Sequence, residues 1–433
     1  MNAKVEASVH QHRLRNGLTI RMKEVRTAPI VSVWMWYRVG SRDEHAGLTG
    51  ASHWVEHMQF KGTPAFPADV LDREISRCGG YWNAMTWLDW TAYYETLPSA
   101  KLDLGLRLEA DRMVNSLFEA QQVESERTVI ISERQGNENE PTYRLAEEVQ
   151  AAAFRVHAYH HEVIGDLVDF NTMSREDLYQ HYRQYYIPSN AVLTIAGDFR
   201  SQTLLKKIRA EYGSLPRVNP PERLHRPEPE QQGERRVEVQ GPDETAFLQI
   251  SYHAPPADDP DFFPLTVLDS VLTGAASLNL FGGGLSNKTS RLYRSLVEGE
   301  IAASVQGGLA ATSDPFLYSI HATIRPDCSP ERALEVIDGE IARVLEEALN
   351  KDELLKASKQ ARALFAFNSE SVTNVAFWLG FSEMFADYSW FAEYPQRVEA
   401  VSAEDILRVA AKYLRPSNRV VGIYRPLNGR NHG

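Results

Sequence analysis

Residues 174–192 read SREDLYQHYRQYYIPSNAV, and residues 402–420 read SAEDILRVAAKYLRPSNRV. The two copies stand 228 positions apart without a gap and share Ser, Glu, Asp, Tyr, Pro, Ser, Asn and Val. In each copy, a serine followed closely by carboxylates predicts an N-capped helix, and Pro-Ser-Asn predicts a turn into a strand. A duplication about half the chain in length predicts two related domains.

The segments around the repeat predict α+β domains with sheets rich in antiparallel strands. Strand-like runs occupy 17–22, 30–36 and 246–252, and helical patterns occupy 102–114 and the region around 126–133. Between the copies, a stretch rich in proline and charge is typical of an extended linker. We therefore predict two α/β-sandwich halves that face each other around a chamber, with these boundaries: an N-terminal domain over 1–215, a linker over 216–236 and a C-terminal domain over 237–433.

Composition favours a large soluble protein over other classes. The chain has 433 residues and a net charge of −12. It contains no basic cluster interleaved with aromatics, so the sequence does not predict nucleic-acid binding. No apolar run of membrane-spanning length occurs, and the N-terminus shows no signal-peptide pattern. Two cysteines, Cys78 and Cys328, favour a reducing compartment. We expect a cytoplasmic protein with no membrane contact, or a periplasmic one if a presequence had been removed.

One short motif carries chemistry. Residues 50–58 read GASHWVEHM, which places His53 and His57 four apart, on one side of a helix, with Glu56 bordering the same face. This H-x-x-E-H order is found in zinc peptidases. A catalytic zinc needs a third protein ligand, and Glu126 and Glu133, seven apart, would share a helix face. The alternative is an amphipathic helix whose histidines face solvent or a buried partner.

Several blocks in the same order resemble one known family. Residues 39–44, 50–63 and 79–94 are similar to the pitrilysin family of zinc metallopeptidases, the inverzincins, in the branch of mitochondrial processing peptidase and its small bacterial relatives. In that family the third zinc ligand lies where Glu133 stands, 76 residues beyond His57. Glu126 falls on the family's assisting glutamate, one heptad earlier.

The resemblance implies a role for each of these residues. His53, His57 and Glu133 would bind one zinc ion per chain. Glu56 would be the general base that activates water and passes its proton to the leaving amine. Glu126 would be the second catalytic residue. It would assist by orienting a metal ligand, without touching the metal itself.

The resemblance also implies a substrate-binding strand. Asn83 and Ala84 would lie on an edge strand that pairs with the peptide backbone, a mode that recognises extended shape more than sequence. For Asn83 the alternative is a turn residue that follows Gly79 and Gly80.

The second half departs from the family pattern. Family members able to act alone carry an arginine and a nearby tyrosine that hold the substrate backbone and stabilise the oxyanion. Here Val297 stands at the arginine position, and Ala303 or Ser304 stands at the tyrosine position. Arg291 and Tyr293 belong to the preceding block and are not substitutes. The glycine-rich 282–284 lacks the following Gly-Lys-Ser/Thr of a phosphate loop and predicts a flexible or substrate-facing turn.

The functional expectation is a zinc metalloendopeptidase subunit that cleaves peptides or short unfolded segments. A related partner subunit in a heterodimer, favoured over a homodimer, would supply the absent arginine and tyrosine. Slower cleavage of specialised substrates by this chain alone is the alternative for that loss. A non-catalytic scaffold or assembly subunit is the rival from another class, although such relatives usually have eroded ligands. A small-molecule lyase with the same ligands would be a much shorter chain without the duplication.

Overall fold

The computed structural model describes residues 9–223, 225–278, 285–347, 349–367 and 369–427. The glycine-rich segment 282–284 and the N-terminal segment 1–8 lie outside these residues, so the interpretations given to them above stay predictions. The chain forms two compact units. The first unit comprises Met1–Arg134, His161–His225 and Ser369–Ala392, and the second comprises Gln135–His160, Arg226–Asn368 and Glu393–Gly433.

Each unit is built on one sheet. The strands of the first unit are β1 Val9–Arg13, β2 Thr19–Glu24, β3 Ile30–Tyr37, β4 Tyr81–Thr86, β5 Thr91–Pro98 and β6 Ala191–Gly197. Those of the second unit are β7 Arg235–Gly241, β8 Phe247–Ala254, β9 Ala302–Leu309, β10 Phe316–Ile324 and β11 Arg419–Pro426.

Helices alternate with these strands along the chain. They are α1 Ala51–Met58, α2 Ala68–Arg77, α3 Leu102–Asn115, α4 Ala120–Glu138, α5 Pro141–Ala153, α6 Leu167–Thr172, α7 Arg175–Tyr185, α8 Ser201–Tyr212, α9 Phe262–Leu272, α10 Pro330–Glu346, α11 Lys351–Phe367, α12 Val372–Phe385, α13 Tyr388–Glu399 and α14 Ala403–Tyr413. Short 3-10 turns occupy Ser41–Asp43, Ser99–Lys101, Ala158–His160, Pro188–Asn190 and Pro416–Asn418, and a π-helical turn occupies Tyr293–Glu298.

The two sheets share one topology. The strand order is β1-β2-β6-β3-β5-β4 in the first and β7-β11-β8-β10-β9 in the second. The repeat ends in β6 and β11, and each of these strands is parallel to one neighbour and antiparallel to the other. Apart from β1, every strand of the first sheet has a counterpart at the same place in the second. The predicted duplication and the α+β class are confirmed.

The repeat folds as its sequence predicts. Ser174 caps α7 and Ser402 caps α14, each by accepting the N–H of the aspartate three residues later, while that aspartate accepts the serine N–H in return. Such capping boxes satisfy backbone donors that the helix itself leaves unpaired. In both copies Pro-Ser-Asn forms a 3-10 turn before the strand.

Each sheet is covered by a helix from a distant part of the chain. In the first unit α12 packs on β2, β3 and β6. Phe377 of α12 lies 5.6 Å from Trp34 and 5.4 Å from Trp36 between ring centroids, in edge contacts. A Cβ on Gly380 would stand 2.0 Å from Nε1 of Trp36, so only glycine lets the helix approach this closely.

In the second unit the cover is α5, which packs on β7, β8 and β11. Val149 and Leu145 fill the space above Gly422, where a Cβ would stand 2.3 Å from a Val149 methyl group. The Arg235 guanidinium donates to the carbonyl of Ala153 at 2.9 Å.

The compact units are therefore not two continuous halves of the chain. The segment 135–160, within the predicted N-terminal domain, belongs to the second unit, and 369–392, within the predicted C-terminal domain, belongs to the first. The reason is physical, because each segment carries the helix that covers the sheet of the unit to which it belongs: α5 covers the second sheet, and α12 covers the first. Near the predicted linker the unit boundary falls between residues 225 and 226.

Candidate metal centre

Helix α1 carries the H-x-x-E-H motif and begins under close constraint. Gly50 precedes it with φ of 85°, and a Cβ there would stand 2.3 Å from the carbonyl oxygen of Ile164. The carboxylate of Glu44 accepts the N–H of Gly50 at 2.8 Å and that of Ser52 at 2.7 Å. These contacts satisfy donors at the helix start and fix its position. The apolar side chains of α1 are buried in the core: Ala51, Trp54, Val55 and Met58.

Three donor groups converge beside this helix. The Nε2 atoms of His53 and His57 are 3.2 Å apart, and their rings meet edge to face. Glu133 of α4 places one carboxylate oxygen 3.8 Å from His53 Nε2 and the other 3.6 Å from His57 Nε2. One donor atom from each of the three residues lies within 4.8 Å of the other two. Two imidazole nitrogens and a carboxylate are the donor types that zinc binds in catalytic sites.

The tautomer of His57 is set by Glu126, on the side of the ring away from the converging donors. Its Nδ1 lies 2.8 Å from Oε1 of Glu126, the buried carboxylate one heptad before Glu133 on α4. A carboxylate can only accept, so Nδ1 carries the proton and Nε2 of the neutral ring is left as a lone-pair donor. Lys61 forms an ion pair with Oε2 of Glu126. Burial opposes charge on His57, but the hydrogen bond with Glu126 and the nearby carboxylates raise its pKa overall.

The electronic state of His53 also suits a metal ligand. Burial, with a smaller contribution from His57, lowers the pKa of His53 to about 3, so its ring is neutral. Its Nδ1 is buried and accepts or donates no hydrogen bond within the described residues. The three residues therefore fit a divalent cation in donor type, protonation and convergence.

Glu56 lies directly before His57 on the same helix, and its carboxylate interacts electrostatically with His57 and Glu133. Its carboxylate is buried, and Thr86 of β4 donates a hydrogen bond of 2.6 Å to Oε2. Burial raises the pKa of Glu56 to about 7, although the Thr86 bond and His57 act in the opposite direction. A carboxylate of this kind can take and return a proton near neutral pH.

Asn83 and Ala84 lie on β4, which ends the sheet and pairs with β5 alone. The side chain of Asn83 is exposed and that of Ala84 is buried. The N–H of Ala84 donates to Oδ1 of Asn83 at 2.9 Å. Both residues therefore sit on an edge strand, as the resemblance implies, and Asn83 is not in the turn after Gly80.

The positions that depart from the family pattern lie in the second unit. Val297 is half-buried in the π-helical turn, and Ala303 and Ser304 are exposed on β9, the edge strand that corresponds to β4. Arg291 binds both carboxylate oxygens of Glu353 through one edge of its guanidinium, with Nε 2.8 Å from Oε1 and Nη2 2.8 Å from Oε2. This bidentate pair ties the Arg291 side chain to α11.

The sequence did not predict the roles of four residues around the centre. Thr86 and Lys61 match family blocks, but spacing along the chain does not show that they touch Glu56 and Glu126. Glu44 and Asp169 act from outside the helix that they position; Asp169 accepts from the backbone N–H groups of Gly47 and Thr49. An acidic residue shortly before an uncapped helix was the available signal for Glu44.

Among the residues that the structure describes, the other histidines form no second centre. His157 donates from Nε2 to Asp314 at 3.1 Å, and its Nδ1 accepts the N–H of Tyr159. Within the part of the chain that the structure describes, His53, His57 and Glu133 are the one group of three such side chains with metal-binding geometry.

Comparison with known proteins identifies the class. Residues 20–167 match the family model described as Insulinase (Peptidase family M16), and residues 172–361 match the model described as Peptidase M16 inactive domain. This chain belongs to peptidase family M16, and the resemblance stated from the sequence is confirmed.

Individual relatives span nearly the whole chain. Mitochondrial-processing peptidase subunit beta of Lentinula edodes is 27% identical over 424 residues, which cover 96% of this chain and 90% of the relative. Zinc protease PqqE of Helicobacter pylori is 26% identical over 426 residues, covering 95% and 92%. The crystal structure of a protease from Helicobacter pylori has a TM-score of 0.89 at 25% identity and covers 97% of this chain and 99% of that one. None of the helices formed by the described residues has the length and apolar character that crossing a bilayer requires.

Proposed function

We propose that this protein is a zinc-dependent endopeptidase subunit that cleaves peptides or short unfolded segments. The observation that carries the proposal is the convergence of His53, His57 and Glu133 beside the buried carboxylate of Glu56. The donor set is complete, which disfavours the scaffold alternative. The names of the relatives support zinc as the metal and peptides as the substrate.

In this proposal the two histidines and Glu133 hold one zinc ion per chain. When bound, zinc polarises the scissile carbonyl and lowers the pKa of a water molecule. Glu56 accepts the proton of the attacking water and then donates it to the leaving amine, so the amide is hydrolysed without a covalent intermediate. Thr86 orients the Glu56 carboxylate through its hydrogen bond. Glu126 keeps the proton of His57 on Nδ1.

The substrate would bind as an added strand beside β4. This strand ends the sheet, and its Ala84 N–H is satisfied by the Asn83 side chain rather than by a neighbouring strand. A peptide backbone can replace that side-chain oxygen as the acceptor. Asn83 and Ala84 are the residues we assign to substrate binding.

Oxyanion stabilisation would come from a related partner subunit in a heterodimer. Neither Val297 nor Ala303 can donate a side-chain hydrogen bond. The hydroxyl of Ser304, the other candidate for the tyrosine position, donates to Thr323 at 2.9 Å, and Arg291 is held by Glu353. One oxyanion donor is worth about 2.7–4 kcal/mol of the barrier, so the chain alone should be slow.

The proposed mechanism is tested by Glu56→Gln. This substitution removes the general base but leaves the three metal donors, so we expect cleavage of an oligopeptide library to fall at least about 100-fold while one zinc ion per chain is retained. Elemental analysis and peptide mass spectrometry measure the two quantities. Glu124→Gln, an exposed glutamate on α4, is the matched control and should change neither.

The outcome with the unmodified chain separates the alternatives. Robust Glu56-dependent cleavage by the purified, zinc-loaded chain would contradict the need for a partner. Bound zinc without cleavage would support the heterodimer. Restoration of cleavage by a co-purified relative that carries the arginine and tyrosine would identify the partner. Absence of both zinc and cleavage would favour the scaffold alternative, and full activity of Glu56→Gln would remove Glu56 from the mechanism.

A further inference from the structure

A pocket lies in the first unit, at the edge of the sheet that is remote from β4. It is formed by β1 and β2, by the segment after β3 and by the end of α12, and it has a volume of about 540 Å³. Its lining includes Arg13, Arg21, Arg38 and Glu383. Because β1 and β4 are opposite edges of the sheet, this pocket is separate from the metal centre.

The charge of the pocket is opposite to that of the protein. Three arginines and one glutamate give its lining a formal charge of +2 with His12 neutral, in a chain whose net charge is −12. Glu383 is the one carboxylate of a described residue that lines it. Positive charge concentrated in a concave site raises the local concentration of anions.

Glu383 is already engaged by one of the three arginines. Arg21 donates from Nε at 2.9 Å and from Nη2 at 2.6 Å to Oε1 of Glu383, and its Nη1 donates to Gln11 at 2.7 Å. Arg21 is therefore fixed in place by the protein. Arg21 therefore contributes positive charge to the pocket more than it offers free donors to a ligand.

The other two arginines keep donors for a ligand. Arg38 comes no closer to Glu383 than 3.8 Å between Nη2 and Oε2, which is longer than a hydrogen bond, and its side chain is about one-third accessible, at 29%. Arg13 is exposed and uses Nε for the carbonyl of Gly17 at 3.3 Å. In the described residues both guanidiniums retain Nη groups with no protein acceptor.

The electrostatics of Arg38 agree with this geometry. Burial lowers the pKa of Arg38, Glu383 raises it, and Arg223, Arg13 and Arg21 lower it again. Repulsion among like charges at short range is relieved when an anion binds between them.

We propose that this pocket binds a small multivalent oxyanion, a phosphate or a polycarboxylate, between Arg13 and Arg38. The planar guanidinium fork matches the oxygen pairs of both groups and can bind either of them in a bidentate way. The proposal is independent of the metal centre and of the proposed peptidase activity.

The test is isothermal titration of the full chain with pyrophosphate and, separately, with citrate. We expect saturable binding of at least one of them, and Arg38→Gln should weaken it at least about tenfold, as loss of a charge-assisted bond does. Arg73→Gln is the matched control, because Arg73 is exposed on α2 in the same unit. Whichever titrant binds more tightly identifies the phosphate or the carboxylate as the preferred group.

Two further variants keep the test decisive if Arg38→Gln fails to fold. Arg13→Gln alters an exposed side chain and should also weaken binding, whereas Glu383→Gln removes the opposing charge and should strengthen it. No saturable binding at low ionic strength, or equal affinities for Arg13→Gln, Glu383→Gln and Arg73→Gln, would overturn the proposal. An effect shared by Arg73→Gln would show a diffuse charge effect and would overturn it as well.

Discussion

Single residues of the metal centre are held by a second layer of contacts. His57 is held by Glu126, Glu126 by Lys61, and Glu56 by Thr86. Fixing a ligand before the metal binds lowers the entropy that binding must remove, and it sets which ring nitrogen is free. The properties of the centre therefore depend on residues that never touch the metal.

Glu126→Gln tests this dependence. A glutamine oxygen could still accept from His57, but it has no negative charge to stabilise the Nδ1 proton, and it would lose the ion pair with Lys61. We expect zinc affinity to fall by about 10–100-fold, as measured by competition with a chromogenic chelator. Glu124→Gln should leave the affinity unchanged. Equal affinity in both variants would remove Glu126 from the metal centre.

Asp269 is a buried carboxyl group far along the chain from the motif. It lies on α9, and its Oδ1 accepts from Thr273 at 2.6 Å and from Tyr318 at 3.1 Å. Burial raises the pKa of Asp269 to about 7, although both hydrogen bonds act in the opposite direction. Because the folded pKa exceeds the unfolded value of 3.8, the folded state binds the proton more tightly.

The free energy of unfolding should therefore fall as pH rises from about 4 to about 7. Asp269→Asn keeps the Oδ1 acceptor and cannot titrate, so the wild type should lose at most about 4 kcal/mol relative to this variant over that range. Urea unfolding at a series of pH values measures the difference. Asp258→Asn, an exposed control, should follow the wild type, and parallel curves for wild type and Asp269→Asn would contradict the prediction.

At the scale of elements, α1 is positioned by contacts at its first turn. Gly50 adopts a left-handed backbone against Ile164, and Glu44 and Asp169 hold the preceding loop. A rotation of this short helix would move both histidines and Glu56 together. The accuracy of the metal centre thus depends on the helix start.

Gly50→Ala should disturb this start more than Gly47→Ala does. Both glycines have positive φ, of 85° and 93°, but only Gly50 has backbone atoms within 4 Å of an added Cβ. The left-handed backbone costs an alanine about 1–2 kcal/mol, and Gly50→Ala adds a clash with the Ile164 carbonyl. Resistance to chemical denaturant and zinc affinity should both be lower in Gly50→Ala than in Gly47→Ala. Equal losses in the two variants would show that the clash is relieved elsewhere.

Local elements were predictable because their causes are local. The helix caps at Ser174 and Ser402 arise from side chains three residues apart, so the sequence contains the whole interaction. The face shared by Glu126 and Glu133 follows from helix geometry in the same way. The contact between Thr86 and Glu56 requires β4 to meet α1, and no spacing along the chain expresses that meeting.

At the scale of the whole molecule, the exchange of α5 and α12 could not be read from the sequence. Both segments are amphipathic or apolar helices, and such a pattern shows that a face is buried but not against which sheet. The repeat predicts two domains and gives no reason to assign 369–392 to the first. The assignment comes from the fit of Phe377 and Gly380 against Trp34 and Trp36.

A fragment of residues 1–225 should therefore not fold stably. It contains every strand of the first sheet but lacks α12, so Trp34 and Trp36 would be exposed to water. We expect aggregation or strong binding of a hydrophobic dye, and a chain in which 369–392 is fused to the fragment by a flexible linker should bind less dye and unfold cooperatively. A cooperative, dye-free fragment without α12 would show that the sheet needs no cover.

The late position of α12 has a consequence for biosynthesis. A ribosome that has made residue 225 must add 167 more before 392 is complete, which takes roughly ten to thirty seconds at ordinary elongation rates. During that interval the nascent sheet presents its tryptophans without their cover. Newly made chains thus offer a defined, temporary binding surface to chaperones, which disappears once the last helix of the first unit leaves the exit tunnel.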